Sequence, residues 1–142
     1  MPVRNASAVW EGGLRGGKGT FKAASGAFSG SYNFGTRFEE TPGTNPEELI
    51  AAAHAACFSM ALSGGLERAG TPPLRIETKA ACTVERVGEG FKITRMRLVT
   101  RAKVPGIDPA AFAKAAEAAR DGCPVSGALK GNVSFELDAK LE

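Results

Sequence analysis

The sequence is poor in the residues that build metal and disulfide frameworks: one histidine and three dispersed cysteines among 142 residues. Zinc fingers and ribbons need paired ligand clusters, so that class is excluded. Charge of one sign is also scarce. Eighteen basic and fifteen acidic residues leave a net +3, scattered along the chain. A nucleic-acid footprint is normally a clustered basic face, so no polyanionic partner is expected. The segment Met1-Pro2-Val3-Arg4-Asn5-Ala6-Ser7 lacks the apolar core of a secretory signal, and a cytoplasmic setting is expected. Persistent structural disulfides are rare there, which leaves the cysteines as buried fillers or as redox and catalytic groups. Neither linker nor repeat nor low-complexity stretch interrupts the chain, and its length suits one domain spanning 1–142.

What is present is patterned. From Ser7 to about Phe38, glycines at 12–13, 16–17, 26, 30 and 35 punctuate short apolar runs. These are the signals of a small antiparallel meander. Gly16-Gly17-Lys18-Gly19-Thr20 has the look of a phosphate loop, but the leading glycine and the strand-to-helix context are missing, so a hairpin turn is expected. Thr44 or Asn45 then caps a helix. Pro46 suits its first position and Glu47 and Glu48 complement its positive end. The helix should run to 67–69, where Gly70-Thr71-Pro72-Pro73 stops it. Its segment from Leu49 to Leu66 carries no charge. That length raises a membrane span, but Ala, Ser, Gly and His54 dominate it, and a buried helix is expected. With no polar face it must be covered nearly all round, and a second copy of the chain is expected to supply the missing cover.

Two long strands, Arg75 to Val87 and Gly90 to Val104, flank Gly88-Glu89-Gly90. In the second, Met96, Leu98, Ala102 and Val104 share one face and Arg95, Arg97 and Arg101 the other. Phe91 and Ile93 have the wrong parity, which predicts a bulge near Thr94. Asp108-Pro109 opens a helix to about Asp121, and Cys123-Pro124-Val125-Ser126 opens a short helical turn with Cys123 at its cap. A last alternating strand points Val133, Phe135, Leu137, Ala139 and Leu141 inward. The expected class is α+β, with two helices and about six strands.

The three thiols differ in setting. Cys82 lies on the apolar face of a strand and reads as a small buried hydrophobe. Cys57 lies in mid-helix among small neighbours that leave room for another group to approach. The helix dipole dies away within the first turn, so a reactive Cys57 thiolate would need a fixed cation. Cys123, at a helix cap, would make a good leaving group in disulfide exchange. On residue chemistry alone Cys57 is equally a core filler or a reactive thiol.

Longer motifs bear on that choice. Thr36-Arg37-Phe38-Glu39, Gly43-Thr44-Asn45-Pro46-Glu47-Glu48-Leu49, Ala53-His54-Ala55-Ala56-Cys57-Phe58-Ser59-Met60-Ala61-Leu62, Val104-Pro105-Gly106-Ile107-Asp108 and Gly122-Cys123-Pro124-Val125-Ser126 occur in one register. In these the chain resembles the OsmC/Ohr family, the osmotically inducible and organic hydroperoxide resistance proteins, and it is closest to the OsmC branch. The resemblance implies an intertwined homodimer whose antiparallel sheets wrap two long central helices. It implies a thiol-dependent peroxidase, without haem or other cofactor, that reduces organic hydroperoxides and more weakly hydrogen peroxide. Cys57 matches the peroxidatic cysteine, Cys123 the resolving cysteine, Arg37 the active-site arginine and Glu47 its carboxylate partner. The implied cycle passes through a Cys57 sulfenic acid and a Cys57–Cys123 disulfide, reduced by an external dithiol such as a lipoyl group. Neither nucleic acid nor membrane is an expected partner.

Spacing adds one expectation. Glu47 and Cys57 are ten residues apart on one helix, about 15 Å along its axis and on different faces. Glu47, with Arg37, is therefore expected to serve the Cys57 of the other subunit. The same residues also allow three other readings: a metal site of His54, Cys57 and Cys123, a redox-sensing dithiol protein without steady-state turnover, and a non-catalytic scaffold.

Overall fold

Short apolar runs separated by glycines fold as the first three strands: β1 (Ala6–Glu11), β2 (Lys18–Ala23) and β3 (Ser29–Tyr32) form an antiparallel sheet in the order β1-β2-β3. The structure, a computed structural model, describes residues 1–142 and divides into two compact units, Met1–Leu49 and Ile50–Glu142. In the first unit, Trp10, Gly19 and Tyr32 lie opposite one another on successive strands. A Cβ on Gly19 would come within 2.6 Å of both rings, so glycine lets the Trp10 and Tyr32 centroids approach to 5.4 Å. The glycine-rich run at 16–20 is thus the end of a hairpin turn and the start of β2, not a strand-to-helix phosphate loop.

One element departs from expectation. The chain after Tyr32 is not a strand end but a short helix, α1 (Phe34–Phe38). Asn33 caps it through a reciprocal box: its Oδ1 accepts from Thr36 N–H, and Thr36 Oγ1 accepts from Asn33 N–H, both at 2.9 Å. Thr at the third position replaces the usual Glu or Gln of such boxes, which hides the signal.

The long helix α2 (Pro46–Arg68) starts in the first unit and runs through the second. It is long and apolar enough to cross a membrane. However, His54, Phe58, Leu62 and Leu66, spaced four residues apart on one face, are completely buried. Phe58, Leu62 and Leu66 pack with Met96, Leu98 and Ala102 of β5 (Gly90–Lys103) and with Phe112, Ala116 and Ala119 of α3 (Pro109–Gly122), as in a core helix. On other faces Ala52, Ala53, Ala56 and Met60 are exposed, Met60 by 81%.

β4 (Arg75–Val87) pairs antiparallel with β5, and the register slips between Thr83 and Val84 so that Thr94 is unpaired, the expected bulge. The slip aims Met96, Leu98 and Ala102 into the core. The arginine stripe faces outward and meets acids on β6 (Ser134–Leu141): Arg101 Nη2 lies 3.2 Å from Asp138 Oδ2, and Arg95 Nη1 lies 3.6 Å from Glu136 Oε1.

The expectation of antiparallel sheets needs correction here. β6 runs parallel to β5, from Arg95↔Ser134 to Ala102↔Leu141, so the sheet β4-β5-β6 is mixed. Parallel neighbours need a long crossover, and α3 with α4 (Pro124–Leu129) provides it. Asp108 caps α3 by accepting from Ala111 N–H at 2.8 Å. Truncation of Leu62 to alanine should leave a cavity at the centre of this core and cost about 2–5 kcal/mol in denaturant unfolding.

Candidate active site

Arg37 and Glu47 are brought together by local chain chemistry. Arg37 lies in the last turn of α1 and Glu47 in the first turn of α2. Asn45 joins the two elements: its Nδ2 donates to Thr36 carbonyl at 2.7 Å, and its Oδ1 accepts from Glu48 N–H at 2.8 Å. Gly43, with φ +145°, allows the return, and a Cβ there would meet Thr36 Cγ2 at 2.9 Å. The outcome is a forked contact. Arg37 Nε donates to Glu47 Oε1 at 3.1 Å and Oε2 at 3.2 Å, and Nη2 donates to Oε1 at 2.9 Å. The Glu47 side chain is 6% exposed and that of Arg37 37%. The carboxylate is therefore committed to the guanidinium, while the guanidinium keeps an open edge. Planar two-point pairing of this sort holds the guanidinium in one orientation.

That open edge belongs to a pocket of about 250 Å³ lined by Trp10, Leu14, Tyr32, Phe34, Arg37 and Phe38, with Asn33. Phe34 and Phe38 stack tilted at 5.2 Å, Arg37 Cζ sits 5.0 Å from the Phe38 centroid, and Arg15 Cζ sits 4.4 Å from that of Phe34. An apolar pocket with one fixed cation suits a substrate that has a bulky apolar body and an electron-rich polar end. Of these residues Arg37 and Phe38 stand out in the sequence, as members of the motif at 36–39. Trp10, Leu14 and Tyr32 are distant in the chain and meet only through strand register. Asn33 and Asn45, which hold Arg37 in place through their caps, were legible only as a possible helix cap at 45.

The second unit holds the thiols. Cys57 lies on α2 and is partly exposed, whereas Cys123, the N-cap of α4, is buried. The two interact: the Val125 N–H donates to Cys57 Sγ, while the Cys57 S–H is turned toward Cys123 Sγ. Burial pushes the Cys57 thiol above its ordinary value; the Val125 N–H opposes this rise, and the Cys123 sulfur adds to it by accepting from Cys57 and, when ionised, by like charge. On balance its immediate shell holds Cys57 as a thiol, in keeping with the need for a separate cation. Cys82 packs at the edge of the core.

His54 does not join the cysteines as a ligand. Its Nε2 lies 2.7 Å from Ser126 Oγ, its ring meets Phe135 edge-on at 5.4 Å, and burial lowers its basicity. No group of three or more His, Cys, Asp or Glu side chains is arranged to hold a metal ion. Ser126 Oγ lies 3.1 Å from Cys123 Sγ. Ser126 was visible in the sequence only as a member of the Gly122–Ser126 motif, since seventy-two positions separate it from His54.

Known proteins resemble the chain throughout. It is 46% identical to peroxiredoxin OsmC of Escherichia coli, over 96% of each chain. It is 32% identical to an organic hydroperoxide resistance protein of Xanthomonas axonopodis pv. citri, over 67% of this chain and 66% of that one. The crystal structure of the organic hydroperoxide resistance protein OhrB of Bacillus subtilis superposes with a TM-score of 0.71 at 28% identity, covering 96% of this chain and 98% of that one. The sequence model of the OsmC-like protein family matches residues 38–138, from the end of α1 into β6. With the peroxide-related names of these relatives and their shared mixed α+β fold, the chain belongs to the OsmC-like protein family.

Proposed function

We propose that this protein is a cysteine-based peroxidase that reduces organic hydroperoxides, and more weakly hydrogen peroxide, with Cys57 as the attacking thiol and Cys123 as the resolving one. The observation that carries the reading is the placement of a partly exposed Cys57 within interacting reach of a buried Cys123. Sulfenic acid formed on the first has its resolving thiol beside it. The relatives named for peroxiredoxin and hydroperoxide resistance activity support the same reading.

In the proposed cycle the Cys57 thiolate attacks the terminal peroxide oxygen, the O–O bond breaks, and the alcohol leaves with a proton. Cys57 is now a sulfenic acid. Cys123 Sγ attacks the Cys57 sulfur, the S–O bond breaks, and water carries away the hydroxyl and the thiol proton, leaving a disulfide. An external dithiol, of the lipoyl or small-molecule class, takes on the disulfide and restores both thiols. Arg37 stabilises the thiolate and the charge building on the departing oxygen, and Glu47 holds the guanidinium in place. The pocket beside Arg37 receives the organic part of the peroxide, which favours it over hydrogen peroxide. Regular reduction of both thiols fits a cytoplasmic setting.

The exposed Ala52, Ala53, Ala56 and Met60 on α2 support a homodimer in which a second copy covers this face. Glu47 and Cys57 share α2 at a separation of about 15 Å along its axis. In the proposed dimer, Arg37 and Glu47 of one protomer therefore serve Cys57 of its partner.

Addition of one equivalent of cumene hydroperoxide, followed by mass spectrometry, should yield a Cys57–Cys123 linkage with Cys82 unmodified. Oxidation spread over all three thiols would sink the assignment. Burial raises the Cys57 thiol and a nearby cation lowers it, so Arg37→Ala should move the pH of half-maximal reaction with the peroxide upward. An unchanged profile would remove Arg37 from the site. Mixed dimers of Cys57→Ser with Glu47→Ala chains should hold one intact and one doubly defective site, and so keep about half the wild-type activity. Two singly defective sites, one without its thiol and one without its carboxylate, and activity no higher than that of the Glu47→Ala site alone, would show that Glu47 acts within its own subunit.

A further inference from the structure

The peroxide chemistry proposed above leaves one buried network unused. His54, Ser126 and Cys123 are 0%, 1% and 1% exposed. They form a continuous row, with His54 Nε2 2.7 Å from Ser126 Oγ and Ser126 Oγ 3.1 Å from Cys123 Sγ. Its direction can be worked out. His54 Nδ1 is buried and has no hydrogen-bond partner. An orphaned N–H donor is rarer in protein interiors than an under-used acceptor, so the proton sits on Nε2 and Nδ1 carries the lone pair. Burial keeps the ring neutral. Nε2–H then donates to Ser126 Oγ, and that commits the serine proton to its other neighbour, Cys123 Sγ. The Ser126 N–H points at the same sulfur from 3.4 Å. Cys123 Sγ is thus set up as an acceptor, the role a thiolate fills and a disulfide sulfur fills poorly.

We propose that Ser126 and His54 are positioning residues that make Cys123 the leaving group when the Cys57–Cys123 disulfide is reduced. This rests on the peroxidase reading for its place in the cycle. The external dithiol's thiolate attacks Cys57 Sγ, the partly exposed sulfur, and the S–S bond breaks. The electron pair departs on Cys123 Sγ, where the Ser126 O–H meets it, and the proton shed by the attacking thiol returns it to a thiol. The reductant's second thiol then displaces Cys57 from the mixed disulfide, leaving as a cyclic disulfide. Access chooses the sulfur attacked, and the hydrogen-bonded row lowers the barrier for the one that leaves.

The test separates this step from peroxide chemistry. The disulfide is formed with diamide in the whole protein, then reduced by dithiothreitol, quenched with N-ethylmaleimide at intervals and read by mass spectrometry. Wild-type protein should show dithiothreitol on Cys57 and the maleimide label on Cys123. Ser126→Thr and Ser126→Val have the same shape and differ only in the hydroxyl. Reduction should slow about tenfold or more in Ser126→Val, the loss of one hydrogen bond to a charged group, and stay near the wild-type rate in Ser126→Thr. His54→Leu should fall on the slow side and His54→Gln, which keeps an N–H donor, between. The rate at which a first equivalent of cumene hydroperoxide oxidises Cys57 should change far less than the reduction rate in every variant. Equal reduction rates for the Thr and Val variants, or dithiothreitol found on Cys123, would overturn the proposal. A wild-type protein that forms the linkage with diamide but not with cumene hydroperoxide would instead refute the peroxidase reading alone.

Discussion

A helix of 23 residues whose middle carries no charged side chain needs cover on more than one face, and α2 imposes that demand on the rest of the molecule. One face is met within the second unit, where Phe58, Leu62 and Leu66 pack against β5 and α3. The same stack brings Cys57, one residue before Phe58, to the level of the α3–α4 junction where Cys123 caps the final turn. The two thiols therefore meet as a consequence of core packing. The small residues around Cys57 leave the sulfur partly open.

Polar chemistry at the element ends does the finer placement. In the first unit Asn33, Thr36 and Asn45 use short side chains to satisfy backbone groups that α1 and α2 leave unpaired at their starts. Satisfying those groups leaves Arg37 and Glu47 in one forked geometry. In the second unit Cys123 does the same work with sulfur, accepting from Ser126 N–H at the start of α4. Caps of this sort make a functional side chain and a folding requirement into one feature. Substitution there disturbs geometry before it disturbs chemistry.

Much of this was legible in advance. Pro46 with Glu47 and Glu48 marked the start of α2, and Gly70 with two prolines marked its end. The parity break at Phe91 and Ile93 located the bulge at Thr94. These signals are local, set by φ restriction, capping and side-chain alternation, and need no partner to be read. Other features had no local signal. α1 was hidden because threonine replaces the usual acidic residue of its capping box. The wall made by Trp10 and Tyr32 depends on two strand registers meeting at Gly19.

By itself, then, the amino-acid sequence determined the order of most elements and the bounds of the longest, the separation of one long apolar helix from two sets of strands, and the family in whose motifs Arg37, Glu47, Cys57 and Cys123 stand. Tertiary structure alone decided that β6 runs parallel to β5, because an alternating strand has the same face pattern in either direction and only the α3–α4 crossover selects one. It alone decided that His54 meets Ser126, because hydrogen-bond partners seventy-two residues apart leave no trace in local spacing.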